Sequence, residues 1–310
     1  MSSARSRDAP NARGDRLVSR TPCAYGAARA EPLRIFFALV RAPCDEADCP
    51  ASVWLLSHAH DEHETRYQEG DAGAWERPLR DSELYDPARR DIFNFIDETK
   101  VAHLRPLLPR AGRAIEIGAG SGRLLIRLGR ERPYRLVALD YAPYALRAVR
   151  ENYRRAKVDG YGLFGDARAL PLRDGSFDVV LSGGLLEHFR EPSEVVREMA
   201  RVLRPGGLFY ADIVPRKVSL YRWAERARMA HDEQLAEGIY ESDLRKSAWR
   251  NVVRAAGLRD VRIASAGVYP PYTVRDHERL VWKYGGFLRA LDGTPVADVL
   301  GFFYMVTARR

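Results

Sequence analysis

From Ala114 to Gly122 the chain reads Ala114-Ile115-Glu116-Ile117-Gly118-Ala119-Gly120-Ser121-Gly122, a short apolar run that breaks into alternate glycines. The apolar run has the length of a buried strand, and the amphipathic stretch after Gly122 reads as a helix. Glycines at alternate positions allow a sharp turn between the two and let the backbone approach a ligand closely. The first N–H groups of the helix then face whatever lies over the turn, which suits a carboxylate or a phosphate. A dinucleotide fingerprint spaces its glycines G-x-G-x-x-G. Here the third glycine arrives one position early and Arg123 stands in the fingerprint place, which disfavours a nicotinamide dehydrogenase.

Beyond this turn, short apolar runs alternate with amphipathic ones. Strands are predicted at Ala114–Gly118, Arg135–Asp140, Gly160–Gly165, Asp178–Ser182, Leu208–Val214, Leu258–Ala264 and Phe302–Ala308. Helices are predicted from about Gly122, from Pro143 and from Pro192, the last with Val195, Met199 and Val202 on one face and Pro205-Gly206-Gly207 as its stop; a further helix spans Ser242–Ala256. An earlier helix is expected with Asp86 as its cap, Pro87 at its first position and Ile92, Phe95, Ile96 and Thr99 on one face. Repeated βα units imply a mostly parallel α/β sheet, seven-stranded here, with helices on both faces. Ligands of such sheets bind at the carboxyl ends of the strands. Glu116, Asp140 and Asp166 all fall at those ends, and Asp140, past the glycine turn on the second strand, suits the two hydroxyls of a ribose.

The chain resembles the class I S-adenosylmethionine-dependent methyltransferases, in particular their small-molecule, methyltransferase type 11-like branch. The resemblance covers roughly Ala114 to Ala264. It rests on Glu116-Ile117-Gly118-Ala119-Gly120-Ser121-Gly122, Asp140, Gly165-Asp166-Ala167 and Asp174-Gly175-Ser176-Phe177-Asp178-Val179-Val180. Leu186-Glu187-His188-Phe189 and the run Glu198 to Gly207 complete it. It implies a Rossmann-like fold in which Gly118, Ala119, Gly120 and Gly122 wrap the methionine part of S-adenosylmethionine, with Glu116 near its amino group. Asp140 would hold the ribose hydroxyls and Tyr141 would lie against the adenine. Asp166 would accept the adenine amino group, and the Ala167 N–H would meet a ring nitrogen. Ser182 and Gly183 would face the methionine and the reacting centre. His188 is the candidate base, needed only where the acceptor must lose a proton. Ser182-Gly183-Gly184-Leu185 stands where methyltransferases of DNA bases or glutamine often carry Asn/Asp-Pro-Pro-aromatic, which disfavours those acceptors. The function implied is methyl transfer to oxygen, nitrogen or carbon of a small molecule. The alternatives are a protein or peptide side chain as acceptor, or a catalytically silent partner subunit that binds the cofactor.

Around this domain the reading is coarser. Residues 1–52, rich in Arg, Ala, Pro and Ser without a sustained period, are expected to be a disordered lead or to precede a true start near Val53. Residues 53–112 are expected to form a helical flap in which Tyr67 and Trp75 could reach the site, and 113–310 the methyltransferase domain. That domain would carry insertions at 215–240 and 267–301, whose aromatics Tyr221, Trp223, Tyr269, Tyr272, Trp282, Tyr284 and Phe287 could line an acceptor pocket or form a satellite core. The net charge of +8 is concentrated in the lead, and only five of the fifty basic residues are lysine, so no nucleic-acid partner is expected. Three cysteines within the first fifty residues give no disulfide framework. No apolar run is long enough for a membrane span or a secretory segment, so no membrane partner and a cytoplasmic location are expected. His58-Ala59-His60-Asp61-Glu62-His63 has ligand-like spacing but reads as a solvated helix start, and no metal is expected.

Overall fold

The computed structural model describes residues 84–223 and 240–310, together with the backbone of Leu55–Leu56. Eight strands run as β1 (Leu55–Leu56), β2 (Gly112–Ile117), β3 (Tyr134–Asp140), β4 (Gly160–Phe164), β5 (Phe177–Gly183), β6 (Leu203–Ile213), β7 (Arg259–Ala266) and β8 (Phe303–Arg309). They form one sheet in the order β1-β4-β3-β2-β5-β6-β8-β7. Every pairing is parallel except those of β8, which runs antiparallel to both β6 and β7. Seven of these strands match the seven expected. The two-residue β1, from the segment expected to be helical, adds an eighth at the edge beside β4.

The helices α1 (Ile92–Leu104), α2 (Arg123–Glu131) and α3 (Pro143–Ala156) precede β5, and α4 (Pro192–Val202) and α5 (Lys246–Ala255) follow it. Period-two alternation divides the strands between two cores. Ala114, Leu136, Ala138, Val179, Leu181 and Tyr210 pack with α1, α2 and α3 on one face. Ile115, Ile117, Val137, Leu139, Val180 and Phe209 pack with α4 and α5 on the other. Three short helices, α6 (His277–Lys283), α7 (Gly285–Ala290) and α8 (Pro295–Leu300), lie between β7 and β8.

Two boundaries differ from the sequence reading for local reasons. Helix α1 begins at Ile92, with Asp91 rather than Asp86 as its cap: the Asp91 carboxylate accepts from the Asn94 N–H at 2.7 Å. Asp86 instead accepts from the Ala88 N–H and closes a separate turn, which Asn94 Nδ2 ties to the helix by donating to the Asp86 and Arg89 carbonyls. The Pro205-Gly206-Gly207 stop lies inside β6, where the register against β5 jumps from Phe177↔Leu203 to Val179↔Leu208. Helix α4 therefore passes straight into the strand, and the Pro-Gly-Gly segment is an irregularity of its first residues.

Candidate active site

At the end of β2 the chain turns through Gly118, Gly120 and Gly122 with φ of 67°, 52° and 67°, left-handed values that favour glycine. A Cβ at Gly118 would fall 2.9 Å from both methyls of Leu185. Ala119 donates to the Leu139 carbonyl and fastens the turn to β3. The turn floors a cavity of about 530 Å3 at the carboxyl end of the sheet. Gly118, Gly120, Asp140, Tyr141, Ala167, Gly183 and His188 all line it. Leu139, Tyr144, Leu185, Phe189 and Arg190, which the sequence reading did not single out, line it too. Ala119 and Gly122 belong to the turn itself. Ser182 is fully buried, its Oγ without a hydrogen-bond partner, and the residue is not part of the cavity wall.

One end of the cavity holds acids with partners. Asp140 accepts from the Gly120 N–H at 2.8 Å through Oδ2 and from the Ala142 N–H at 2.9 Å through Oδ1. Burial pushes its carboxyl up from the ordinary range, and these N–H groups with that of Tyr141 pull against it. Tyr141 stacks on Phe164, the ring centroids 5.3 Å apart. Asp166 faces Arg168, whose guanidinium reaches both carboxylate oxygens, and it lines a neighbouring cavity shared with Arg197 and Arg201.

Behind the cavity wall at Gly183, outside the lining itself, acids gather at the tips of β2, β5 and β6. Glu116, Glu187 and Asp212 are all buried. Burial pushes the carboxyls of Glu116 and Glu187 up to about 8. One oxygen of Glu187 accepts from the Val214 N–H, and its backbone carbonyl accepts from Ser242. This fastens the loop after β5 to the end of β6 and accounts for an acid within Leu186-Glu187-His188. His188 Nδ1 lies 2.8 Å from the Tyr240 carbonyl. A carbonyl only accepts, so Nδ1 carries the proton and Nε2 of the neutral ring is the acceptor. Burial lowers the His188 pKa and favours that neutral form. Asp212 Oδ2 meets Lys100 Nζ of α1 at 2.8 Å. Neither Lys100 nor Asp212 had been singled out in the sequence, because nothing local distinguishes them from other helix and strand residues.

The aromatics of the 267–301 insertion divide. Tyr269 and Trp282 pack edge-on against Phe95 of α1 at 5.6 and 5.5 Å, and Tyr221 of the 215–240 insertion packs on Phe302 at 4.8 Å; all join the core on the α1 face of the sheet and lie outside the cavity. Tyr284 and Phe287 are exposed. Tyr67, Trp75, Met229, His231 and the histidines at 58, 60 and 63 lie outside the described residues. Among the described residues no group of three or more His, Cys, Asp or Glu is arranged for a metal ion, and no helix is long and apolar enough to cross a membrane.

A methyltransferase-domain family model matches residues 115–211, which takes in the glycine turn, Asp140, Asp166 and the tip of β5. The chain carries a class I S-adenosylmethionine-dependent methyltransferase domain. This methyltransferase domain is 36% identical over 135 residues to the 27-O-demethylrifamycin SV methyltransferase of Amycolatopsis mediterranei, covering 42% of this chain and 49% of that one. It is 38% identical over 114 residues to the malonyl-[acyl-carrier protein] O-methyltransferase of Methylococcus capsulatus, covering 36% and 41%. The matches thus span about half or less of these curated relatives. A solved structure described as a possible exported protein from Bordetella parapertussis shares the fold at a TM-score of 0.50 and 18% identity, over 70% of this chain and 68% of that one. The residues of the methyltransferase domain fit the cofactor its family uses. Over the cavity-lining Gly120 a Cβ would meet no atom within 4 Å, which leaves open space above the turn, and Glu116 Oε2 and Asp212 Oδ1 are buried without hydrogen-bond partners.

Proposed function

We propose that the protein transfers the methyl group of S-adenosylmethionine to a small-molecule acceptor, with release of S-adenosylhomocysteine. The observation that carries this reading is a single cavity floored by the glycine turn and lined by Asp140, Tyr141, Ala167, Gly183 and His188. Bound S-adenosylmethionine supplies an electrophilic methyl group on a sulfonium. Asp140 turns from its backbone partners to the ribose hydroxyls, Tyr141 and Ala167 flank the adenine, and Glu116 and Gly183 receive the amino-acid end. Asp166 serves the adenine amino group only by sharing a carboxylate already paired with Arg168. His188 offers Nε2 to the acceptor and takes its proton. A hydroxyl acceptor makes the fullest use of that base, in keeping with the 27-O-demethylrifamycin SV methyltransferase among the relatives.

Titration calorimetry tests the cofactor half of this reading: S-adenosylmethionine and S-adenosylhomocysteine bind, and NAD does not. Binding of NAD alone would overturn it. Once an acceptor is in hand, His188→Ala lowers kcat by about 10²–10⁴ with little change in cofactor affinity. Activity within about threefold of the unsubstituted chain would reduce His188 to a positioning role.

A further inference from the structure

We propose that Lys100 is a positioning residue for the amino-acid end of the cofactor: reaching in from α1, it holds Asp212 ionised beside Gly183 and, with Glu116, builds a seat for an ammonium group. The inference rests on the cofactor reading above and adds to it a residue outside the matched region 115–211.

The register brings the groups together. Gly183 and Asp212 are cross-strand partners on β5 and β6, so their Cα substituents share a face, and Glu116 projects to the same face from β2. A Cβ at Gly183 would lie 3.2 Å from Asp212 Oδ1 and 3.7 Å from Glu116 Oε1, so only a hydrogen atom separates the two carboxylates from the backbone of a cavity-lining residue. On the far side, Lys100 Nζ meets Asp212 Oδ2 at 2.8 Å, both side chains nearly enclosed.

The other cations near the group are engaged elsewhere. Arg123 takes Asp97 at 3.0 Å, Arg127 stands 3.7 Å from the same carboxylate, and Arg127 Nη2 donates to Asn94. Lys100 is thus the charge that answers Asp212 and Glu116. Removing one member of a buried ion pair leaves the other uncompensated, and a carboxyl so stranded stays protonated. Asp212 Oδ1 and Glu116 Oε2 are buried without a hydrogen-bond partner of good geometry, the Tyr210 hydroxyl being the neutral group beside Asp212. Two such oxygens can take two of the three donors of an ammonium group.

A lysine that only pinned α1 to the sheet would affect every ligand of the cavity alike. The test therefore compares two ligands, S-adenosylhomocysteine and 5′-methylthioadenosine, which carries the adenosine and the sulfur but no amino acid. In Lys100→Met the affinity for S-adenosylhomocysteine falls about tenfold or more, the scale of one lost charge-assisted hydrogen bond. Affinity for 5′-methylthioadenosine stays within about twofold, and Lys100→Arg recovers part of the loss. Equal losses for both ligands, or no loss for either, would overturn the proposal. Where Lys100→Met does not fold, Asp212→Asn must show the same split, and its absence is equally fatal. Failure of the unsubstituted chain to bind either ligand would overturn the cofactor reading, and the proposal with it.

Discussion

The two ends of the cavity handle buried acids in opposite ways. At the adenosine end, Asp140 is bonded by backbone N–H groups of the glycine turn and of the start of α3, and Asp166 is bonded by Arg168. At the end proposed for the amino acid, Glu116 and Asp212 share one lysine, and Glu116, Glu187 and Asp212 each keep a buried oxygen with no hydrogen-bond partner. An unmet buried acceptor costs about 1–3 kcal/mol, more when charged. The first end is complete without a ligand. The second concentrates desolvated carboxylate where a cation can lower its energy. Shape thus accounts for recognition at one end and electrostatic demand at the other.

The largest effect expected separates the ends by ligand. Asp140→Ala removes hydrogen bonds to a charged group, each contributing about 1.5–3 kcal/mol, so affinity falls roughly ten- to two-hundred-fold. Because both ligands carry the ribose, S-adenosylhomocysteine and 5′-methylthioadenosine weaken together in calorimetry. A loss confined to one of them would break the division. At pH 8 and above, where Glu116 ionises, Glu116→Gln keeps shape and removes charge, with the narrower effect: about tenfold on S-adenosylhomocysteine, the scale of a single charge-assisted contact, and none on 5′-methylthioadenosine.

A separate effect is on stability. The Glu116 and Glu187 carboxyls titrate near 8 in the folded chain, against an ordinary 4.5 when unfolded. Between those values the folded state holds protons that the unfolded state has released. Stability is therefore full below the lower value and falls as pH rises, at up to about 1.4 kcal/mol per pH unit for each group. Urea denaturation of the ligand-free chain at pH 5.5 and 7.5 shows the lower stability at 7.5, and Glu116→Gln removes part of the difference. A stability that rises over this range would contradict the account. Affinity for S-adenosylhomocysteine moves the other way, strengthening toward pH 8 as Glu116 ionises to meet the ammonium, and 5′-methylthioadenosine lacks that dependence.

The end proposed for adenosine could be assembled from the sequence because its signals are local. The glycines must sit where φ is positive, Asp140 follows at a fixed distance on the next strand, and the alternation of strands and helices sets their common edge. The amino-acid end was legible only in Glu116 and Gly183. Lys100 lies on a helix whose start was misplaced by five residues, since Asp86-Pro87 carries a stronger local capping pattern than Asp91, whose role depends on Asn94. Asp212 looks like any residue of an apolar strand until β6 is set beside β5. The fate of the insertion aromatics was equally non-local, because Tyr269 and Trp282 are core residues only once α1 supplies Phe95.

Helix α1 packs on α2 and is tied down as well by the far end of the chain. Trp282 Nε1 donates to the Asp91 carbonyl and Arg289 pairs with Glu98, each across 191 positions, while Glu278 accepts from the Ile92 N–H. On a ribosome adding about 5–20 residues per second, α1 waits roughly 10–40 s between its own emergence and that of its partners. The glycine turn and the strands beside it can assemble in that interval with local contacts, whereas the lysine of α1 gains its rigid mount only when the last fifth of the chain arrives. Assembly order thus makes the adenosine end the early half of the site and the amino-acid end the late one. A nascent chain cut short before α6 would lack the partners that tie α1 down, and would lose its hold on the charged end first.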